Sequence, residues 1–125
     1  MIAADDVTFE DTAHFHNGGI VPGDGINVVY TMLMGLNRAR YLMLTGQVLN
    51  AREAKDIGLV AELMPREKLL PRAWELDGQL VKKSDMLLGY TRQVLTHPLR
   101  KALDDGMYYY TAMEALSTLD KGGKR

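Results

Sequence analysis

The sequence predicts an α/β protein, mostly helical, with a few strand remnants. Three observations carry that expectation. Residues 2 to 10 read as extended, with Val7, Thr8 and Phe9 as good strand formers and Asp5-Asp6 as a turn before them. A loop rich in breakers follows over residues 11 to 25, through Asn17-Gly18-Gly19 and Pro22-Gly23-Asp24-Gly25. Nearly everything after it recurs at helical spacing.

The elements follow in order. Met1 to Ala4 reads as the end of a buried strand already in progress. Gly23 or Asp24 opens a helix whose apolar face is Val28, Val29, Met32, Leu33 and Leu36, and an aspartate there is most simply an N-cap. Gly35 interrupts it, and a second helical stretch runs from Asn37 to Leu44 and ends at Thr45-Gly46. Asn50 with Glu53 three residues on makes a capping box for a helix over Ala51 to Ile57, which Gly58 stops. Leu59 to Leu63 is strand-like. Residues 66 to 83 return to helical periodicity. Ser84 or Asp85 caps a helix from Met86 to Leu95, and Pro98 sits in the first turn of a last one, Leu99 to Leu119. Met32, Met34 and Met43 read as core fillers, and Tyr108-Tyr109-Tyr110 as packing against a core or a subunit interface.

The bulk composition excludes several function classes. Fifteen basic and sixteen acidic residues leave a net charge of −1, which offers no electrostatic footprint for nucleic acid or an anionic membrane. The chain has no cysteine, so thiolate nucleophiles, disulfides and zinc–thiolate sites are excluded, and a cytoplasmic location fits. No apolar run is long enough to span a bilayer. The basic stretch from Lys121 to Arg125 reads as a solvated tail. Gly23 and Gly25 fit neither phosphate-binding glycine pattern, so a nucleotide loop is rejected.

Four segments in one order carry a resemblance to a known family. They are Val7-Thr8-Phe9, then Gly19-Ile20-Val21-Pro22-Gly23-Asp24-Gly25, then Leu44-Thr45-Gly46, then Ala51-Arg52-Glu53-Ala54-Lys55-Asp56-Ile57-Gly58-Leu59-Val60. Together they resemble the crotonase superfamily, the enoyl-CoA hydratase/isomerase family, over nearly the whole chain. The resemblance implies a crotonase-like (ClpP/crotonase) fold of which this is the C-terminal part. Residues 1–65 would belong to the core and 66–125 to a helical oligomerisation region. It also implies a homo-oligomer, a trimer or a dimer of trimers. The oxyanion-hole donors of the family match no residue of this chain.

Within that family, Phe9 to Phe15, Ile20 to Gly25, Leu70 to Leu76 and Glu114-Ala115-Leu116 are similar to a branch that hydrolyses carbon–carbon bonds of β-diketones. An ordinary hydratase would carry glutamate where His14 sits and a small residue where Asp24 sits. The resemblance makes His14 the base that activates water, Asp24 its partner and Glu114 a further polar contact. Histidine suits that role because its pKa lies near neutrality, and a carboxylate on the far ring nitrogen would fix its tautomer. The Asn17-Gly18-Gly19 stretch holds one residue more than the branch's pattern, so His16 competes with His14. The substrate is then a small molecule, with no metal or redox cofactor. The alternatives are a hydratase or isomerase acting on coenzyme A thioesters, with Asp24 in acid–base chemistry, and a non-catalytic truncated remnant or oligomerisation module.

Overall fold

Strand β1 (Ile2–Ala4) pairs in parallel with β4 (Glu62–Met64), Ile2 opposite Glu62 and Ala4 opposite Met64. A computed structural model describes residues 2–120 of the chain. The basic stretch Lys121 to Arg125 and the first residue lie outside the described residues. A second small sheet is antiparallel, from β2 (Thr8–Phe9) and β3 (Leu49–Asn50). Between the strands run α1 (Phe15–Gly18), α2 (Ile26–Met34), α3 (Leu36–Thr45) and α4 (Ala51–Asp56). Two long helices, α5 (Arg66–Leu80) and α6 (Asp85–Leu119), complete the described residues.

The core lies between the two small sheets and α3–α4. Ala3, Leu42, Leu49, Ala54, Leu59 and Val60 are buried together, with Val7, Phe9, Tyr30, Met34, Ile57 and Leu63 packed around them. Ala39, Ala51 and Ala54 are almost fully buried, and their small side chains let the short helices approach the sheets closely. The capping box expected at α4 is complete: the Asn50 side chain accepts from the Glu53 amide at 3.0 Å, and Glu53 accepts from the Asn50 amide at 2.8 Å. Gly46 ends α3 in the left-handed region at φ 64°, a conformation that excludes most side chains. Two arginines tie α5 to the strands. Arg66 bridges to Asp6, and Arg72 donates from Nε and Nη2 to the two carboxylate oxygens of Glu62, each at 2.9 Å.

Several expectations from the sequence are corrected. The last two helices are one: α6 runs unbroken through Pro98, and His97 sits in its interior. A proline inside a helix removes one hydrogen bond and crowds the preceding turn. The local sequence of such a site is the same as that of a helix start, and here both flanks are helical enough to hold one axis. Ser84 caps that axis, its hydroxyl accepting from the Leu87 amide. The strand placed at residues 59 to 63 begins later, at Glu62, because Leu59 and Val60 turn back to bond the Ala54 carbonyl. α5 stops at Leu80 rather than residue 83. Loop 11–25 contains α1, and β3 lies where only a helix cap was expected. Of the apolar face of α2, Val28 is buried while Met32 and Leu33 are exposed, as is Leu36 at the start of α3. Met43 is buried, Met34 is half-buried and packs on the core. Tyr108 and Tyr109 are exposed, and Tyr110 is half-buried against the loop that carries Asp24.

Candidate functional site

The candidate site is built on the loop between β2 and α2. Asp11 opens it with a tight turn: its Oδ1 accepts from the Ala13 and His14 amides, each at 3.1 Å. His14 then stands at the N-cap of α1, and its carbonyl accepts from the Gly18 and Gly19 amides. The backbone on both sides of His14 is therefore fixed by hydrogen bonds rather than by packing alone. His14 is buried, 7% exposed, and no other histidine among the described residues is buried.

Two carboxylates flank the ring. Asp11 Oδ1 lies 2.9 Å from Nδ1, a full hydrogen bond between buried groups. Asp24 Oδ1 lies 3.6 Å from Nε2, too long for a hydrogen bond but close enough to attract a protonated ring. Asp24 itself is exposed, and its Oδ1 also accepts from the Ile26 amide at 3.2 Å. The helix cap is Gly25, not Asp24, with φ 109°. That glycine lets the chain turn into α2 while Asp24 faces His14.

The electrostatics favour an ionised Asp11. Burial is the largest single influence and pushes its carboxyl up. The hydrogen bonds from the His14 ring, from the His14 amide and from the Ala13 amide, with the His14 charge, together outweigh it and hold Asp11 below the ordinary carboxylate range. Burial, and then the Asp11 charge, push the Tyr30 phenol up. Tyr30 of α2 is therefore a neutral neighbour of this carboxylate.

Helix α6 closes the loop from one side. The Ser117 hydroxyl accepts from the Val21 amide at 3.0 Å and donates to the Glu114 carbonyl. Gly23 is buried directly on α6: a Cβ there would overlap the Tyr110 carbonyl and meet the Cβ of Glu114 at 2.8 Å. Glu114 thus stands half-buried beside the residue that precedes Asp24, without a described bond to His14. His16 is elsewhere: it is exposed, and its ring packs on Gly46 at the end of α3. An open cavity of about 580 Å³ between α3 and α4, lined by Asn37, Tyr41, Gln47 and Asp56 among others, does not touch these groups.

The structure thus brings His14 and Asp24 together, sets Glu114 at the edge, and separates His16. Asp11 was missed. Its signal was the Asp-x-x-His spacing, in which an aspartate accepts amides two and three residues on and leaves its oxygen beside the side chain there.

A family model described as enoyl-CoA hydratase/isomerase matches residues 1–120. The chain belongs to the enoyl-CoA hydratase/isomerase family. Within it, the chain is 30% identical over 89 residues to a crotonyl-CoA hydratase of Syntrophomonas wolfei, a match covering 71% of this chain and 34% of that protein. It is 32% identical over 77 residues to a short-chain-enoyl-CoA hydratase of Clostridioides difficile, covering 62% and 50%. Among solved structures it is 37% identical to a beta-diketone hydrolase from the cyanobacterium Anabaena sp. PCC 7120, bound to (S)-3-oxocyclohexyl acetic acid. That superposition has a TM-score of 0.90 and covers 95% of this chain and 47% of the hydrolase. An enoyl-CoA hydratase from Mycobacterium avium shares the fold at TM-score 0.84 and 24% identity. The chain spans half or less of the length of the curated relatives named here. The crotonase-like fold, mostly helical with short strands, is that of the family.

Proposed function

We propose that this chain carries the water-activating part of a β-diketone hydrolase. The observation that carries the reading is the buried His14 ring held between Asp11 and Asp24. An imidazole so placed serves as a general base, which is what carbon–carbon hydrolysis needs first. Nε2 takes a proton from water as its oxygen adds to one carbonyl carbon. The tetrahedral adduct collapses to a carboxylic acid, and the carbon–carbon bond breaks with its electron pair leaving as the enolate of the second carbonyl. The imidazolium returns the proton to the enolate carbon, so diketone plus water becomes one keto acid. Asp24, 3.6 Å from Nε2, would stabilise the imidazolium between those two transfers. Glu114 would stand at the edge of the same site from α6. The 37% identity to the Anabaena hydrolase over 95% of this chain supports the reading, as does the similarity of its loop to 6-oxocamphor hydrolase.

A second reading has its own support: the curated relatives are named as hydratases of coenzyme A thioesters. In that reading Asp24 is the acid–base group. The exposed apolar residues of α5 and α6, such as Leu70, Trp74, Tyr90 and Val94, support residues 66–125 as the surface that joins copies of the chain.

The test is hydrolysis of a non-enolisable cyclic β-diketone, by this chain alone and by any longer form of the same reading frame, beside His14→Ala. Diketone turnover that His14→Ala abolishes in a folded protein supports the hydrolase. Turnover of an enoyl-CoA with no action on diketones replaces it with the thioester reading.

A further inference from the structure

The geometry points to Asp11 as the positioning residue of the site: it holds the neutral His14 ring with its hydrogen on Nδ1 and its lone pair on Nε2, facing Asp24. The functional consequence rests on His14 being the base. The tautomer itself does not, and this allows the two to fail separately.

Oδ1 of Asp11 lies within hydrogen-bond distance of the Ala13 amide, the His14 amide and His14 Nδ1. Backbone amides can only donate, so Oδ1 is already an acceptor twice over. A carboxylate oxygen in that position stays ionised, and the third partner must donate as well. Nδ1 therefore carries the hydrogen. The lone pair is left on Nε2, the nitrogen a base must use.

Among the described residues no other group lies at hydrogen-bond distance from the ring. Asp24 reaches only Nε2, at 3.6 Å, beyond hydrogen-bond distance. Tyr30 is coupled to the site through the Asp11 charge, and Glu114 is described against Gly23. Water competes poorly, because Asp11 and His14 are each 7% exposed. An unconstrained histidine side chain in water prefers hydrogen on Nε2, so the form expected here is one the protein must impose.

A purely structural role is the competing explanation, since Asp11 also caps the turn at residues 13 and 14. Asp11→Ser separates them. A serine hydroxyl can still accept from those amides, but it is too short to bond the ring. The ring nitrogens of the chain's three histidines are followed by nitrogen NMR, with His14→Gln assigning the signal. Wild-type His14, once neutral, is expected with hydrogen on Nδ1. Asp11→Ser is expected to shift it toward hydrogen on Nε2, and Asp24→Asn to leave it unchanged. In the diketone assay Asp11→Ser should lower kcat about 100- to 10,000-fold with little change in KM. A neutral wild-type ring with hydrogen on Nε2 overturns the assignment, as does a folded Asp11→Ser protein whose ring form is unchanged. Should Asp11→Ser not fold, the wild-type spectrum decides by itself. If the ring behaves as expected but diketones are untouched, the positioning role stands and the hydrolase reading falls.

Discussion

Replacing Gly23 with alanine tests whether α6 is held on the Asp24 loop by direct backbone contact. Gly23 is buried, and an added Cβ would overlap the Tyr110 carbonyl and lie 2.8 Å from the Glu114 Cβ. Its φ is not among the positive values, so the methyl costs space rather than backbone strain. Neither obstacle can swing aside: one is helix backbone and the other is rooted on it. The loop or the helix must move, and overfilling a tight contact costs about 1–3 kcal/mol. In a domain of this size each kcal/mol shifts the melting temperature by about 3–6 °C, so a fall of roughly 3–18 °C is expected. Gly89→Ala is the control. Gly89 lies within α6 with open space around its Cα, so alanine there should stabilise by about 0.5–1 kcal/mol. Thermal unfolding followed by far-UV circular dichroism reads both. A Gly23→Ala protein that melts at or above the wild-type temperature refutes the contact. So does an equal loss in Gly89→Ala, which would mean that α6 is sensitive to any change.

The same geometry sets further expectations. Asn50→Ala removes one half of the α4 capping box and should cost about 1 kcal/mol, read from the urea midpoint; an unchanged midpoint would mean that α4 is held by packing alone. Asp11 is lowered in the folded state, so its contribution to stability is present above the ordinary carboxylate value and is lost as pH falls through the folded one. The stability gap between wild type and Asp11→Asn should therefore narrow as pH falls below about 5 and on through the folded value, which lies under 3.8, and a gap that widens reverses the sign. His14→Ala should abolish diketone hydrolysis while leaving the melting transition cooperative, as the proposed role requires.

Much of the chain was legible because its signals are local. The α4 cap needs only Asn50 and Glu53, three residues apart, and the end of α3 needs only Gly46. The family emerged from four short segments in order, and the family model covering residues 1–120 agrees with it. What failed had one local cause and one long-range cause. Pro98 looks the same at a helix start and inside a helix, and only the neighbouring turns on both sides decide which it is. The β2–β3 pair joins Phe9 to Leu49, forty positions apart in the chain, and two-residue strands leave no periodicity to read.

The sequence by itself determined which residues were available for chemistry: a loop histidine, an aspartate at the glycine turn, a glutamate far along the chain and no cysteine. Only the tertiary structure decided their relation. It buried His14 and left His16 on Gly46, a choice that the two nearby histidines could not make between themselves. It put Asp11, not Asp24, on Nδ1 at hydrogen-bond distance, and brought Glu114 beside Gly23 through a contact that only a residue without a side chain permits. Hydrogen bonds and close contacts depend on tenths of an ångström between groups far apart in the chain. No pattern of spacing encodes those distances until the helices and sheets have packed.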